Sequence, residues 1–280
     1  MKDAKQSELA AEMLAFLEST PLSPDLEWTK DRDFLFHFEA KRQLLVRELL
    51  SGAGLQPEAR LNILDVGYLH GLTQEFIHRA FPKATITVYD LPSSPIFADE
   101  KYLAAIEARG YLRLIPKNID DIEEGPEKYD VIVLGEVVEH MDPTQVARAL
   151  RNLRKVAAPN CILVITTPNA AGVYNCYMTL RQKAPVQVAP IPNKTHGYGH
   201  IHLWSPSLLG ETAEYAGWSD KDIRFYHGRE GEMFERLKRQ PFALKAQIIV
   251  RMLKLIADRI PTQRGFFVAA FEAKGSRAPE

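Results

Sequence analysis

Apolar positions at three- and four-residue spacing over residues 5–18 (Leu9, Met13, Leu14, Phe16, Leu17) predict an amphipathic helix, which the stretch STPLSP ends. A second helix is predicted from about Asp31 to Leu50, carrying Phe34, Phe36, Phe38, Leu44, Leu45 and Leu49. After SGAGLQPEAR the period changes. Short apolar runs (NILDVG, TITVYD, LRLIPKN, YDVIVLG, CILVITT) alternate with amphipathic stretches over Thr73 to Ala80, Asp99 to Arg109 and Thr144 to Val156. Strands apolar on both faces, alternating with helices, imply a parallel sheet covered on both sides. The fold expected is a doubly wound α/β sheet whose ligand sits at the carboxyl ends of the strands.

Beyond Pro168 the rhythm loosens into a long loop punctuated by Gly and Pro, which ends in HGYGHIHLW. Loops of that length inside a compact domain tend to be functional or disordered. A helix from Pro206 to Ala216, a strand DIRFYHG, an insert over about 229–264 and a last strand GFFVAAFEAKG follow. The insert's FALKAQIIVRMLKLIADRI is amphipathic and basic. It reads first as a lid or dimer helix and second as a membrane-surface helix. The organisation expected is an N-terminal helical cap over 1–55 and a ligand-binding domain over 56–280.

Composition narrows the classes. The 280 residues are 46% hydrophobic with a formal net charge of -1, which gives no global reason to expect nucleic acid or an anionic membrane as partner. Two cysteines, Cys161 and Cys176, lack metal-motif spacing and make no disulfide framework. With no signal-peptide pattern at the N-terminus and no apolar run long enough for a span, a cytoplasmic protein is expected.

The chemistry lies at the predicted strand ends. In LDVGYLHGLT, Gly67 and Gly71 permit a tight strand-to-helix turn and close approach of a ligand to the main chain, with Asp65 inside the strand and Tyr68 in the turn. Asp90, followed by Leu91, ends the second strand about twenty residues on, where a ribose needs an acceptor. Asn118 and Ile119 follow the third strand and suit an adenine edge and face. Dinucleotide enzymes use a different spacing with three glycines, and this turn offers little to a phosphate. The fourth strand runs into GEVVEHM. If that segment is helical, Glu136, Glu139 and His140 share one face and suit a divalent cation, with His200 or His202 of the loop as a further ligand. The plainer alternative is that Glu139 and His140 cap a helix and line the pocket, with His140, His200 or His202 as general base.

NILDVGYLHG, VYDLP, NIDD, KYDVIVLGEVVEHM, ILVITTPN and HIHLWSPSLLGETAEYAGW together resemble the class I S-adenosylmethionine-dependent methyltransferases. The resemblance implies a seven-stranded sheet with its last strand antiparallel. It also implies a methyl donor bordered by Asp65, Gly67, Tyr68, Gly71 and Glu136, with Asp90 and Leu91 at the ribose and Asn118 and Ile119 at the adenine. The family usually has a third glycine where this chain has Leu69. The pairing of E-x-x-E-H with a distant His-x-His is similar to the ubiquinone-biosynthesis O-methyltransferases and the small-RNA terminal 2′-O-methyltransferases. That implies a Mg, Zn or Fe cation on Glu136, Glu139, His140 and His200 or His202, orienting an acceptor hydroxyl. Aromatic residues that could line an acceptor pocket are Trp28, Phe34, Phe36, Phe38, Tyr174, Tyr177 and Tyr198. Core packing of the two helices is the competing account of the N-terminal ones. They favour a small-molecule acceptor over nucleic acid, because helical spacing spreads Arg236, Lys238, Arg239, Lys245, Arg251 and Lys254 rather than aligning them. A nucleic-acid 2′-O-methyltransferase, a donor-binding regulator without turnover and a homodimer stay open.

Overall fold

The computed structural model describes residues 2–20, 30–182, 199–227 and 244–274. Helix α1 (Lys2–Ser19) is followed by a helical run over residues 32–52, α2, whose middle, Leu35–Glu39, is wound as π-helix between Arg32–Phe34 and Ala40–Gly52. Then come β1 (Asn62–Val66), α3 (Leu72–Ala80), β2 (Thr85–Asp90), α4 (Glu100–Glu107), β3 (Leu112–Pro116), β4 (Tyr129–Gly135), α5 (Pro143–Val156) and β5 (Ala157–Pro168). The chain continues through α6 (Val173–Leu180), α7 (Pro206–Tyr215), β6 (Trp218–Tyr226), α8 (Leu244–Arg259) and β7 (Phe266–Ala273).

The seven strands form one sheet in the order β3-β2-β1-β4-β5-β7-β6, with β7 antiparallel to both its neighbours and the first five strands parallel. The expected doubly wound sheet with an antiparallel last strand is therefore present. Successive side chains of a strand point to opposite faces, and β4 divides accordingly. Val131 and Val133 join a core with Met13, Leu17, Leu35 and Phe38 of α1 and α2. Ile132 and Leu134 join one with Leu150 and Leu153 of α5 and Leu209 of α7.

Two readings need correction. The stretch after Pro168 is not all loop, since VYNCYMTL forms α6; its apolar and polar residues lack the alternation that marks the other helices. GEVVEHM is not a regular helix. Only Val138–His140 makes a single 3₁₀ turn, and Glu136 sits at φ 57. The Glu136 N–H is taken by the Thr166 carbonyl at 3.0 Å, which carries the β4–β5 pairing past the strand end and delays any helix. Phe34 and Phe38 are core residues: Phe34 stacks on Phe38, which meets Phe266 edge-on at 5.0 Å. Trp28, His196 and Tyr198 lie outside the described residues, as do Arg236, Lys238 and Arg239.

Candidate active site

The crossovers leave β1 in opposite directions to β2 and β4, so a crevice opens at the carboxyl ends of these strands. The turn from β1 into α3 forms its floor. Gly67 at φ 87 and Gly71 at φ 79 supply the left-handed conformations that residue pattern demanded, and Leu69 at φ 48 adopts one between them. A Cβ at Gly71 would stand 2.4 Å from the Tyr68 hydroxyl, because the Tyr68 ring runs beneath the turn into the core. The Tyr68 side chain is thus turned away from the crevice, contrary to its expected place beside the donor. Its N–H instead donates to Asp90 Oδ2 at 3.1 Å and fixes the turn against the end of β2. Leu91 N–H donates to the other Asp90 oxygen at 2.7 Å, and the half-exposed Leu91 side chain stands at the rim. Burial raises the Asp90 pKa.

Asp65 is fully buried, accepts from Gln74 Nε2 at 2.5 Å, and is pushed by burial up to about 8. After β3, Asn118 accepts the Asp120 N–H at 3.0 Å on its side-chain oxygen, which leaves the carboxamide nitrogen available to a ligand. Ile119 behind it is buried with the α5 core.

The segment after the described gap is stitched onto the end of β4. Ile201 and His202 N–H both donate to the Glu139 carbonyl, at 2.9 and 3.2 Å, and Trp204 Nε1 donates to the Val138 carbonyl at 3.0 Å. His140 Nδ1 donates to the Gly199 carbonyl at 2.9 Å. These bonds bring His200 against His140, with ring centroids 4.8 Å apart. One ligand atom each from Glu139, His140 and His200 lies within 4.8 Å of the other two, the one such group among the described residues. No ion is present. Glu139 is wholly buried. Its Oε2 accepts from Thr167 at 3.1 Å, and its Oε1 has no hydrogen-bond partner among the described residues.

Two of the five expected metal ligands fall outside this trio. Glu136 Oε1 accepts from the Thr166 hydroxyl at 2.8 Å. His202 turns edge-on to Trp204, with 4.8 Å between centroids, and burial lowers its pKa. The chain bends where two consecutive N–H groups converge on the Glu139 carbonyl. The bend breaks the alternation that would have put residues 200 and 202 on one face. Burial raises the pKa of both glutamates, and for Glu136 the neighbouring Glu139 carboxylate raises it further.

Sequence reasoning missed a second cluster. Glu39, in the π-wound turn of α2, accepts from Arg42 Nη2 at 2.8 Å, and His70 Nε2 lies 3.7 Å from its other oxygen. Arg42 and Gln43 also reach Thr73 Oγ1, at 3.2 and 3.0 Å, so α2 clamps the glycine turn. Burial alone would raise the Glu39 pKa, but the Arg42 guanidinium reverses this and holds the carboxyl at about 2. Tyr226, at the end of β6, is buried within the electrostatic reach of Arg42 and Glu136, and burial raises its phenol pKa. The available signal was a pair of opposite charges, Glu39 and Arg42, on the same helical stripe as Val46 and Leu49.

Residues 38–221 match the family model described as a methyltransferase domain. No curated protein matches the chain by sequence. Among solved structures, the chain is similar to the N-methyltransferase NodS from Bradyrhizobium japonicum in complex with S-adenosyl-L-homocysteine, at 18% identity and a TM-score of 0.50, covering 94% of this chain and 98% of that one. It is similar also to N-methyltransferase 2 of Haemonchus contortus in complex with phosphomonomethylethanolamine and S-adenosylhomocysteine, at 15% identity and 0.53, covering 84% and 53%. The [4+2]-cyclase SpnF matches at 15% and 0.52, covering 84% and 81%. At these identities the structures speak for the fold alone, whereas the family model spans well over half of the chain. The chain therefore belongs to the methyltransferase domain family and is an S-adenosylmethionine-dependent methyltransferase.

Proposed function

We propose that the chain transfers the methyl group of S-adenosylmethionine to a hydroxyl oxygen of a small-molecule acceptor, with a divalent cation held by Glu139, His140 and His200. The observation that carries the reading is the trio itself: three ligand atoms within 4.8 Å of one another, from a buried glutamate and two histidines. A carboxylate buried in that way is costly unless a ligand or proton satisfies it.

The crevice fits the donor. Helix α3 begins at Gly71, where His70 Nδ1 takes the Leu72 N–H at 3.3 Å, and the N–H groups that follow suit the donor's carboxylate. Asp90 accepts from the ribose hydroxyls, the Asn118 carboxamide addresses the adenine edge, and Asp65 and Gly67 border the methionine part. The donor supplies a sulfonium-bound methyl group, which passes to the acceptor oxygen and leaves S-adenosylhomocysteine. A cation on the trio supplies a lowered hydroxyl pKa and a fixed oxygen position. Glu139 is fixed by Thr167 and His140 by the Gly199 carbonyl, so both present their remaining ligand atoms in set directions. With a cation held there, the acceptor hydroxyl would lose its proton to water; in a site without one, His140 or His200 would take it as general base. Phe34 and Phe38 are taken up by core packing, so the preference for a small acceptor rests on the want of an aligned basic stripe in the sequence.

The test is titration calorimetry on chelator-stripped protein, first with S-adenosylmethionine and then with Mg²⁺, Zn²⁺ or Fe²⁺, repeated on Glu139→Ala/His140→Ala. Donor binding to both proteins with cation binding to wild type alone is expected. Donor binding without any cation binding would leave GEVVEHM as pocket lining and remove the preference for oxygen acceptors.

A further inference from the structure

Helix α8 has an apolar stripe on each side. Leu253 and Ala257 are buried against the body, as an amphipathic helix requires. Ile248, Met252 and Leu255 face solvent, 47%, 59% and 53% exposed, and Ile260 follows at 48%. At four- and three-residue spacing the three helical residues fall within about 60° of one another around the axis. The neighbouring helix α6 ends in Leu180, 83% exposed.

The polar residues of this helix have one sign. Lys245, Arg251, Lys254 and Arg259 stand against the single acid Asp258. Asp258 is itself engaged, by Lys254 at 2.6 Å and His227 at 3.0 Å. Over residues 236–259 the sequence has seven Lys and Arg and that one Asp, in a chain whose net charge is -1. Within the described part of the helix, Arg251, Lys254 and Arg259 against Asp258 leave an excess of positive charge on the element that carries the exposed apolar stripe.

That combination selects among partners. A polyanion such as RNA would use the charges and leave the stripe wet. A second copy of the helix would cover the stripe but set like charges against each other. An anionic lipid surface satisfies both, because acyl chains take Ile, Met and Leu while headgroups take Lys and Arg.

We propose that α8 is a membrane-docking helix that lies flat on an anionic lipid surface. The segment after it is tied to the catalytic end of the sheet, since Asn169 Nδ2 donates to the Thr262 and Arg264 carbonyls at 3.0 and 2.7 Å. Docking there therefore engages the end of the molecule that holds the site. The inference stands on the exposed helix face and does not depend on the acceptor or the cation.

The test is co-sedimentation of the full chain with vesicles of phosphatidylcholine alone, or with about one third phosphatidylglycerol, at low and high salt. Binding to the anionic vesicles only, weakened by salt, is expected. Met252→Glu/Leu255→Glu and Arg251→Glu/Arg259→Glu should each lower the bound fraction by about tenfold or more. Binding of S-adenosylhomocysteine should be unchanged in both variants, which verifies that they are folded. Three results would overturn the proposal: no vesicle binding by wild type, vesicle binding that neither variant weakens, or a dimer in sedimentation velocity that Met252→Glu/Leu255→Glu dissociates. Retention on immobilised RNA without vesicle binding would overturn it too, in favour of a nucleic-acid partner.

Discussion

Leu69 occupies a backbone conformation that costs an L-residue about 1 kcal/mol or more. It stands where the related enzymes usually have a glycine, so the turn has kept its geometry while losing the residue that adopts it freely. Leu69→Gly should leave stability unchanged or raise it by up to about 1 kcal/mol, strain relief being partly offset by the entropy of the unfolded chain. Leu69→Val, β-branched at the same φ, should lower it by about 1–2 kcal/mol, and urea midpoints of the two variants check the contrast. Asp65 makes a second residue-level prediction. Folded, it keeps its proton up to about pH 8. Unfolded, it releases the proton near the ordinary carboxylate value of about 3.9. Its contribution to stability is therefore complete below about pH 4 and is lost as the pH rises toward 8. Asp65→Asn should flatten the fall in urea midpoint across that window, and an unchanged slope would show that Glu136, Glu139 and Asp90 account for all of it. The left-handed backbone of the two turn glycines was legible from their spacing. The direction of the Tyr68 ring was not, because an aromatic residue in a turn packs wherever the core has room for it.

At the scale of elements, α2 secures the site. Its π-wound segment adds a residue to the turn, a distortion frequent at functional positions, and buries Glu39 where it meets Arg42 and His70. Removing Arg42 alone leaves the Glu39 carboxylate buried without its cation, and Arg42→Met should cost about 3–5 kcal/mol. The double variant Glu39→Gln/Arg42→Met, which removes both charges, should recover most of that stability, and a thermodynamic cycle on the four proteins measures the coupling. If the double variant were as unstable as Arg42→Met, the pair would be serving Glu136 and Asp65 rather than Glu39. The periodicity predicted a helix here within a few residues of its bounds. It showed nothing of the π turn, which depends on a hydrogen-bond shift that the hydrophobic pattern does not record. The condition that GEVVEHM be helical is met only by the single 3₁₀ turn after β4, because sheet pairing beyond the strand end claimed the Glu136 N–H first.

At the scale of the whole molecule, the sheet brings four strand ends, two helix starts and a returning segment to one crevice. A ligand that binds only this assembled form must stabilise it. S-adenosylhomocysteine at about a hundred times its dissociation constant should add about 2.7 kcal/mol to the unfolding free energy. Gly71→Ala, whose Cβ would collide with Tyr68, should abolish that increment in a thermal scan. No described helix is long and apolar enough to cross a membrane.

The sequence by itself determined the strand and helix alternation, the parallel sheet with an antiparallel last strand, and the donor crevice at its carboxyl edge. The alternation and the parallel sheet follow from periodicity and from residues close together in the chain, whereas the antiparallel last strand and the place of the donor are what the family resemblance implies. The tertiary structure decided which loop histidine meets His140. Choosing His200 over His202 required carbonyl and indole hydrogen bonds across about sixty residues of sequence. It also decided that Glu136 answers to Thr166 and that Glu39 and Arg42 lie under the active site, since such contacts are set by the packing of distant segments rather than by local spacing.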